Sequence, residues 1–398
     1  MKIMSIAGAR PNFMKLASIA RAVESYNQEL TKSEHANPNK VDHIIVHTGQ
    51  HYDDKMSKSF FDELEIPKPD INLEVGSGSH AAQTAEIMKR FEQVLNKEVP
   101  DFLIVVGDVN STIACTLVAA KIDYPAGHHR KRPVIVHVEA GLRSFDREMP
   151  EEINRILTDS LSDLLFVTEQ SGVQNLQNEG IPDKKIHLVG NVMIDTLIDH
   201  IEKSKESKIK ELLSISGQYG LVTLHRPSNV DNMHSLEPII NALHSISRDI
   251  PLYFPAHPRT LQKIEQFRLK DFFNWQFMQE ASPVNLSDST DPSIYLTPPL
   301  GYLDFLNLTI EAAVVITDSG GIQEETTFLG VPCVTLRDNT ERPVTVTEGT
   351  NYLIGTDPQK ILATVNAILA GQRKKSNIPQ FWDGKAGARI IEIIVKTA

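Results

Sequence analysis

Three acidic residues in the first half of the chain occupy positions from which they could exchange protons with a bound molecule. Glu139 directly follows an apolar segment at 134–138, and Asp108 lies two residues after another at 102–106. Glu151 lies in the first turn of a predicted helix, where acidic side chains interact favourably with the helix dipole. Carboxylates that converge at neighbouring strand ends repel one another, which prepares one of them as a base or an acid near neutral pH. The pattern predicts proton-transfer chemistry.

Each of these acids also has a structural alternative. Glu151 could belong to a solvated helix face, and Asp108 could cap the helix that follows it. Glu139 is more typical of a site residue than of a surface charge, because the cationic residues Arg143 and Arg155 are in reach.

Cationic and histidine side chains at other strand ends could bind an anion. Arg10 and Lys15 follow the first predicted strand, in a loop whose single glycine departs from the Gly-x-Gly-x-x-Gly fingerprint of dinucleotide-binding proteins. They offer charge to a phosphate or carboxylate, although a helix start with two exposed cations is the alternative. In the second half, His225-Arg226 and His257 each follow a predicted strand and favour an anion-binding wall.

The strongest signal is a strand that passes through Ser319-Gly320-Gly321 into a predicted helix. Such a helix start presents backbone N–H groups to a phosphate, and Glu325, one turn into the helix, could accept hydrogen bonds from a ribose diol. Arg342 follows one strand later and supplies a further guanidinium. The alternative is a tight turn that requires glycine for backbone reasons alone.

The elements that position these residues alternate along the chain. Short segments rich in valine and isoleucine alternate with amphipathic segments, a pattern typical of a parallel sheet with helices on both faces. The strands are predicted at 3–7, 44–48, 102–106, 134–138, 164–167, 220–224, 252–255, 294–296, 314–317 and 333–335. The main helices are predicted at 14–26, 81–95, 111–120, 195–213 and 386–395. The pattern restarts near residue 189, which predicts one domain at 1–188, completed by a helix at 378–398, and a second at 189–377.

Composition and charge limit the kinds of molecule that the protein is expected to bind. The chain has 398 residues, 41% of them hydrophobic, and a formal net charge of −11, which disfavours a nucleic-acid or anionic-membrane surface. Cys115 and Cys333 lie in apolar contexts and are expected to be buried free thiols. No metal-ligand cluster is visible, and no apolar segment approaches the roughly 20 residues of a membrane span. The N-terminal segment lacks the pattern of a signal peptide, so the expectation is a soluble cytoplasmic protein.

Taken together and in order, the motifs resemble those of the non-hydrolysing UDP-N-acetylglucosamine 2-epimerases over essentially the whole chain. The motifs are Gly8-Ala-Arg-Pro with Lys15, Thr48-Gly-Gln-His51, Gly107-Asp108, His137-Val-Glu-Ala-Gly-Leu-Arg143, Pro150-Glu-Glu-Ile-Asn-Arg155, His225-Arg226, Thr317-Asp-Ser-Gly-Gly-Ile-Gln-Glu-Glu325 and Arg337-Asp-Asn-Thr-Glu-Arg-Pro343. The resemblance implies two Rossmann-like domains of the GT-B type, with the active site in the cleft between them. It also implies a homodimer of cytoplasmic polysaccharide biosynthesis that needs neither a redox cofactor nor a metal.

The resemblance assigns roles to individual residues. Asp108, Glu139 and Glu151 match acid–base carboxylates of the family, and His225 matches its catalytic histidine. The residues expected to bind the UDP-sugar are Arg10, Lys15, Arg143, Arg226, His257, Phe305, Ser319, Gly320, Gly321, Glu325 and Arg342, with Phe305 near the uracil. Two positions depart from some family members: Asp53 replaces a glutamine linked to substrate allostery, and the segment 300–305 lacks a glutamine.

The implied reaction interconverts UDP-GlcNAc and UDP-ManNAc. The proton at carbon 2 is not next to a carbonyl, so the sensible route eliminates UDP to a 2-acetamidoglucal and adds it back after reprotonation from the opposite face. The alternatives are a modified UDP-sugar, such as UDP-2,3-diacetamido-glucuronic acid, a hydrolysing 2-epimerase, a GT-B glycosyltransferase and a sugar-nucleotide sensor without activity.

Overall fold

The computed structural model describes residues 1–32, 40–49, 64–65, 67–274 and 294–398, and the side chain of Arg10 is outside this description. The polar segment 281–292, whose composition predicts a loop, the Gln50-His51 pair and Asp53 lie outside the described residues. The chain divides into two compact units, Met1–Ile198 with Gln380–Ala398, and Asp199–Pro379. Within the described residues, no helix has both the length and the apolar character to cross a lipid bilayer.

The first unit is an α/β layer structure around one parallel sheet. Its described strands are β1 (Lys2–Ala7), β2 (Asp42–His47), β3 (Ile71–Asn72), β4 (Phe102–Val106), β5 (Val134–Ala140), β6 (Leu164–Val167) and β7 (Ile186–Leu188), in the spatial order β3-β2-β1-β4-β5-β6-β7. Its described helices are α1 (Arg10–Lys32), α2 (His80–Glu98), α3 (Asn110–Lys121), α4 (Pro150–Leu161) and α5 (Gln170–Asn178), with a 3₁₀ turn at Asp183–Lys185. Helix α6 (Val192–Ser204) begins in this unit, whose boundary with the second unit falls after Ile198.

The central strands of this sheet are buried along nearly their whole length. Every residue of β4 is buried, and β1 and β5 pair with it in parallel register, Ile3 with Phe102 and Phe102 with Val134. Such continuous apolar strands are expected where helices cover both faces of a parallel sheet. The carboxyl ends of β1, β4 and β5 therefore lie side by side.

The second unit repeats this architecture with its own sheet. The described strands are β8 (Gly220–Thr223), β9 (Leu252–Pro255), β10 (Ile294–Thr297), β11 (Val314–Thr317), β12 (Cys333–Thr335) and β13 (Asn351–Leu353), all parallel, in the order β10-β9-β8-β11-β12-β13. The described helices are α7 (Ile209–Leu212), α8 (Pro227–Val230), α9 (Met233–Ile246), α10 (Pro258–Gln266), α11 (Tyr302–Glu311), α12 (Gly320–Leu329), α13 (Pro343–Thr347) and α14 (Pro358–Leu369), with a 3₁₀ turn at Lys270–Phe272.

Helices cover both faces of this second sheet. On β8, Val222 packs into a cluster with Leu243 of α9 and Val365 of α14, whereas the adjacent Leu221 packs into another cluster with Leu308 of α11. Neighbouring residues of a strand point to opposite faces, so each face has its own core. The fold class predicted from the sequence is confirmed.

One predicted helix, at 195–213, is wrong because the chain turns in its middle. Helix α6 ends at Ser204, and α7 begins at Ile209. The hydroxyl of Ser204 donates to the carbonyl of Ile201, and Ser207 Oγ accepts from the N–H of Ile209, so serine side chains take over backbone partners at the break. The charged residues 203–210 are therefore not one continuous helix face.

The C-terminal helix α15 (Ala386–Thr397) belongs to the first unit and packs against α1. At the amino end of α15, the carboxylate of Asp195 accepts hydrogen bonds from the N–H groups of Ala386 (3.2 Å) and Gly387 (2.8 Å). The same carboxylate accepts a hydrogen bond from Ser18 Oγ of α1 (2.7 Å). A Cβ atom on Gly387 would lie 2.5 Å from Ser18 Oγ, so the close approach of these helices requires glycine.

Candidate active site

Glu139 lies at an irregularity of β5, at the carboxyl edge of the first sheet. The pairing of β5 with β6 shifts register between Val138 and Ala140, and Glu139 has a φ of +73°. A non-glycine residue rarely adopts this conformation, and such bulges commonly redirect a side chain next to a site. The Glu139 side chain is 4% exposed and forms an ion pair with Lys15 Nζ of α1. Two residues predicted from the sequence are thus brought together.

Gly107, at the end of β4, leaves the space for this ion pair. Its φ is +64°, and a Cβ atom at this position would lie 2.8 Å from Lys15 Nζ and 3.2 Å from a Glu139 carboxylate oxygen. The sequence motif Gly107-Asp108 contained this signal, but only the structure shows which side chains require the missing Cβ.

Asp108 is held by an arginine that also binds a second acid. Arg155 of α4 donates from Nε to Asp108 (3.0 Å), its Nη2 lies 2.8 Å from the same carboxylate, and its Nη1 lies 2.5 Å from Glu152. Glu152 is buried, whereas Glu151, the acid predicted from the sequence, is half-buried one position earlier. Successive helix positions are about 100° apart, so only one of the two acids can face Arg155.

Glu152 also shapes the loop before α4. It accepts from the N–H (3.0 Å) and the hydroxyl (3.0 Å) of Ser144, and from the N–H of Phe145 (2.9 Å). The Phe145 side chain is 78% exposed. The sequence places Glu152 beside Glu151 in the first turn of the predicted helix, but only Glu151 was assigned a role; the signal for Glu152 is its position three residues before Arg155.

Arg143 is engaged by two acids of the first unit. Its Nη2 lies 2.7 Å from Asp159 and donates to Glu179 (2.7 Å), and its Nε donates to Glu179 (2.8 Å). Burial opposes the charge of Arg143, but the two carboxylates raise its pKa above the usual range. Arg143, which the sequence predicts to contact the substrate, therefore also forms ion pairs within the first unit.

In the second unit, the candidate residues surround Asp318, which follows β11. The carboxylate of Asp318 accepts from the N–H groups of His225 (3.1 Å) and Arg226 (2.9 Å), and it lies 2.9 Å from His225 Nδ1. Burial alone would raise the pKa of Asp318, but the contacts to His225 and these backbone N–H groups hold it below its usual range. Because Asp318 occupies Nδ1, the half-exposed His225 ring presents Nε2 for chemistry.

Arg226 and His257 lie in the same group of loops. Arg226 Nε donates to the carbonyl of Asp318 (3.0 Å). His257 is the N-cap of α10, and its Nδ1 accepts from the N–H of Arg259 (3.2 Å). Burial, with the nearby charges of His225 and Arg259, lowers the pKa of His257. The charges of the loops that carry His225 and His257 therefore act on each other.

The predicted glycine-rich helix start is present. Helix α12 begins at Gly320, with Ser319 as an N-cap whose side chain makes no capping hydrogen bond. A Cβ atom on Gly321 would meet no atom within 4 Å, whereas one on Gly320 would lie 2.9 Å from Glu341 and 3.0 Å from Arg342. Open space before a helix N-terminus, where N–H groups lack intrahelical partners, suits an anion.

Glu325 is buried one turn into α12. Tyr302 of α11 donates to its carboxylate over 3.4 Å. Burial, reinforced by the neighbouring charge of Glu324, raises the pKa of Glu325 to about 7. A carboxylate in such surroundings gains from donors that a ligand brings.

Arg342 and Phe305 are the remaining predicted site residues of the second unit. Arg342 pairs with two acids, and Phe305 packs against the hydrophobic core. Arg342 pairs through Nε with Glu324 (2.8 Å) and through Nη1 with Glu341 (2.7 Å). Phe305, in the first turn of α11, is partly buried against a hydrophobic cluster of the unit. Glu324 and Glu341, which position the Arg342 guanidinium, were not recognised in the sequence.

The sequence pattern showed no metal site, yet Asp101, His128 and His129 place ligand atoms within 4.8 Å of one another in the described part of the chain. Asp101 precedes β4, so this cluster lies at the amino ends of the strands, away from Asp108. Asp101 already accepts from the N–H of Lys2 (2.7 Å) and pairs with His129 (2.8 Å).

The fold and these residues define a class: two Rossmann-like domains of the GT-B type, with polar groups at the carboxyl edges of both parallel sheets. The family model described as UDP-N-acetylglucosamine 2-epimerase matches residues 33–395. With this match and the relatives below, the chain belongs to the UDP-N-acetylglucosamine 2-epimerase family.

The relatives match the chain along its length. A UDP-N-acetylglucosamine 2-epimerase homolog of Methanococcus maripaludis is 43% identical over 99% of both chains. The UDP-2,3-diacetamido-2,3-dideoxy-D-glucuronate 2-epimerase of Pseudomonas aeruginosa is 38% identical over 100% of both. The crystal structure of Methanocaldococcus jannaschii UDP-GlcNAc 2-epimerase in complex with UDP-GlcNAc and UDP is 40% identical, with a TM-score of 0.81 and complete coverage of both chains.

Proposed function

We propose that the protein interconverts UDP-GlcNAc and UDP-ManNAc by epimerisation at carbon 2, without net hydrolysis. Family membership supports the reaction class. The observation that carries the proposal is the buried Glu139 carboxylate at a strained bulge, paired with Lys15 and accompanied at the same sheet edge by Asp108. Acid–base groups held in this way suit the removal and return of a proton.

The chemical steps balance without a redox partner. A carboxylate removes the carbon-2 proton, the electron pair forms the double bond between carbons 1 and 2, and the bond from carbon 1 to the phosphate oxygen breaks to release UDP. In the reverse sense, an acid protonates carbon 2 from the opposite face and a UDP oxygen attacks carbon 1. Asp108 and Glu139, with Glu151, are the proposed acids and bases, and Lys15 holds Glu139 in place.

The second unit is proposed to hold the nucleotide part of the UDP-sugar. The open helix start at Ser319–Gly321 stabilises charge on the departing diphosphate, and Glu325 accepts hydrogen bonds from the ribose. His225, oriented by Asp318, donates to the leaving phosphate from Nε2. The further proposed contacts are Arg10, Lys15, Arg143, Arg226, His257, Phe305 and Arg342, and Arg143 also pairs with Asp159.

A second candidate substrate is a UDP-2,3-diacetamido-glucuronic acid. It is favoured by the Pseudomonas aeruginosa relative, whose 38% identity is close to the 40% of the Methanocaldococcus jannaschii UDP-N-acetylglucosamine 2-epimerase. The two sugars differ at carbons 3 and 6, so the same acid–base chemistry at carbon 2 serves both.

Incubation of the purified protein with a single UDP-sugar, followed by proton NMR, tests the proposal. With UDP-GlcNAc alone we expect the anomeric signal of UDP-ManNAc to grow to a constant ratio. Conversion only of the diacetamido-glucuronate nucleotide would establish the second candidate. Free ManNAc with UDP would indicate a hydrolysing enzyme, and no change in either sugar would contradict epimerase activity.

The acid–base assignment is tested by Asp108→Asn and Glu139→Gln. Each variant is expected to lower kcat by at least about 100-fold, the lower scale for loss of a general acid or base. Asp123→Asn is the matched control, because Asp123 is a largely exposed acid of the same unit. Turnover near that of the control in both variants would remove the assignment.

We further propose a homodimer that works in the cytoplasm in polysaccharide biosynthesis, as the family resemblance implies. The chain has a mass of 44.4 kDa, so light scattering after gel filtration should give about twice this value. A monomer at micromolar concentration would contradict the dimer.

A further inference from the structure

His137, in the middle of β5 and two residues before Glu139, has a hydrogen-bond acceptor at each ring nitrogen. Its Nδ1 lies 2.6 Å from the carboxylate of Asp159, and its Nε2 lies 2.9 Å from the carbonyl oxygen of Gly107. The side chains of His137 and Asp159 are fully buried. A carbonyl oxygen can only accept, so Nε2 carries a proton.

The second ring nitrogen faces a carboxylate that already behaves as an anion. Asp159 also accepts from the N–H of Gly141 (3.1 Å) and pairs with Arg143 (2.7 Å). The Arg143 guanidinium, which stays charged throughout the pH range of a folded protein, favours the ionised form of this carboxylate. An ionised carboxylate has no proton to give, so the 2.6 Å contact requires a proton on Nδ1 as well. The ring therefore carries both protons and a positive charge.

The protonated His137 ring contacts the turn that contains Asp108. The imidazolium donates to the Gly107 carbonyl, and the Gly107 N–H donates to the carbonyl of Val138 (3.1 Å). The next carbonyl, that of Asp108, accepts from Asn154 (2.8 Å), while the Asp108 carboxylate accepts from Arg155. Successive backbone groups of the turn are thus held from β5 and α4, and Arg155 holds the carboxylate.

We infer that the doubly protonated His137 ring and the Asp159 carboxylate form a positioning pair, which fixes the Gly107–Asp108 turn and so aims the Asp108 carboxylate. The role of the pair in turnover rests on the proposed epimerisation, whereas its charge state does not. His137 is a positioning residue rather than a catalytic one, because it acts on the turn through a backbone carbonyl.

NMR of the full chain with ¹⁵N-labelled histidine tests the charge state. We expect one histidine whose two ring nitrogens both have the chemical shifts of protonated nitrogen at pH 7, and whose signals are absent from His137→Gln. A His137 ring that shows one unprotonated nitrogen at this pH would overturn the inference, whether or not the protein has the proposed activity.

Kinetics test the positioning role. Asp159→Asn removes the charge but keeps hydrogen-bonding groups, and His137→Gln keeps an N–H for the Gly107 carbonyl. Both variants are expected to lower kcat on the order of 10- to 100-fold with KM within about twofold, the scale of a small misplacement of a reacting group. His187→Gln, on β7 of the same sheet, is the matched control and should leave kcat unchanged.

The outcomes separate this inference from the proposed function. An active wild type whose two variants match the control would overturn the positioning role and leave the epimerase intact. Variants with a lower kcat, a higher KM and no cooperative unfolding would show that the pair is merely structural. This result would also overturn the positioning role. A wild type inactive on every UDP-sugar would instead contradict the proposed function, with the NMR result still deciding the charge of His137.

Discussion

Replacement of Glu325 by glutamine should stabilise the second unit and weaken nucleotide binding at the same time. Burial and the charge of Glu324 raise the pKa of Glu325 from 4.5 to about 7 in the folded protein. Between these values the folded state keeps a proton that the unfolded chain releases. Because the unfolded state binds fewer protons, stability falls as pH rises through this window.

The size of the effect follows from the two pKa values. A difference between 4.5 and about 7, at about 1.4 kcal/mol per pH unit, gives an upper value of about 3 kcal/mol above pH 7. Glutamine never ionises and still offers an acceptor to Tyr302. The variant is therefore expected to be more stable than the wild type at pH 8 by up to about 3 kcal/mol, and by less than about 1 kcal/mol at pH 5.

The same change removes the anionic acceptor proposed for the ribose hydroxyls. A hydrogen bond to a charged group contributes about 1.5–3 kcal/mol, so the Kd for UDP should rise on the order of 10- to 100-fold at pH 8. Urea unfolding at both pH values and calorimetric titration with UDP measure the two effects, with the exposed Glu348→Gln as control. Equal stability of variant and wild type at pH 8, or unchanged UDP affinity, would refute the reasoning.

Two further variants test the packing that supports the site. Gly107→Ala is expected to lower both kcat and stability, the latter by about 1–3 kcal/mol, because the added Cβ crowds Lys15 Nζ at 2.8 Å and the φ of +64° is strained. Gly127→Ala shares the positive φ but meets no neighbouring atom, so activity and unfolding of the two variants isolate the crowding; equal losses would contradict it. Asp195→Ala leaves the first N–H groups of α15 without their acceptor, at about 1–3 kcal/mol for each unsatisfied group. Hydrogen exchange should accelerate in 386–397, and unchanged protection there would show that Asp195 does not hold this helix.

The strands that could be predicted from the sequence are those with continuous apolar residues. Phe102–Val106, Leu252–Pro255 and Val314–Thr317 have the predicted limits. The short strands Ile71–Asn72 and Asn351–Leu353 were missed, because two or three residues are too few for a recognisable pattern. Both strands lie at an edge of their sheet.

The candidate site could be predicted in its residue types but not in its pairings. Lys15 and Glu139 were both recognised, yet their ion pair joins residues far apart in the chain and depends on the bulge at the end of β5. Arg143 has the residue type of a phosphate ligand, but Asp159 and Glu179 surround its guanidinium. Long-range contacts of this kind arise from tertiary packing, which local patterns do not contain.

Turnover of UDP-GlcNAc in deuterated water tests most directly whether a proton leaves and returns at carbon 2. The elimination route predicts that UDP-ManNAc carries deuterium at carbon 2, and that recovered UDP-GlcNAc gains the label as the reaction approaches equilibrium. Product that forms at the normal rate with the original hydrogen at carbon 2 would contradict this chemistry.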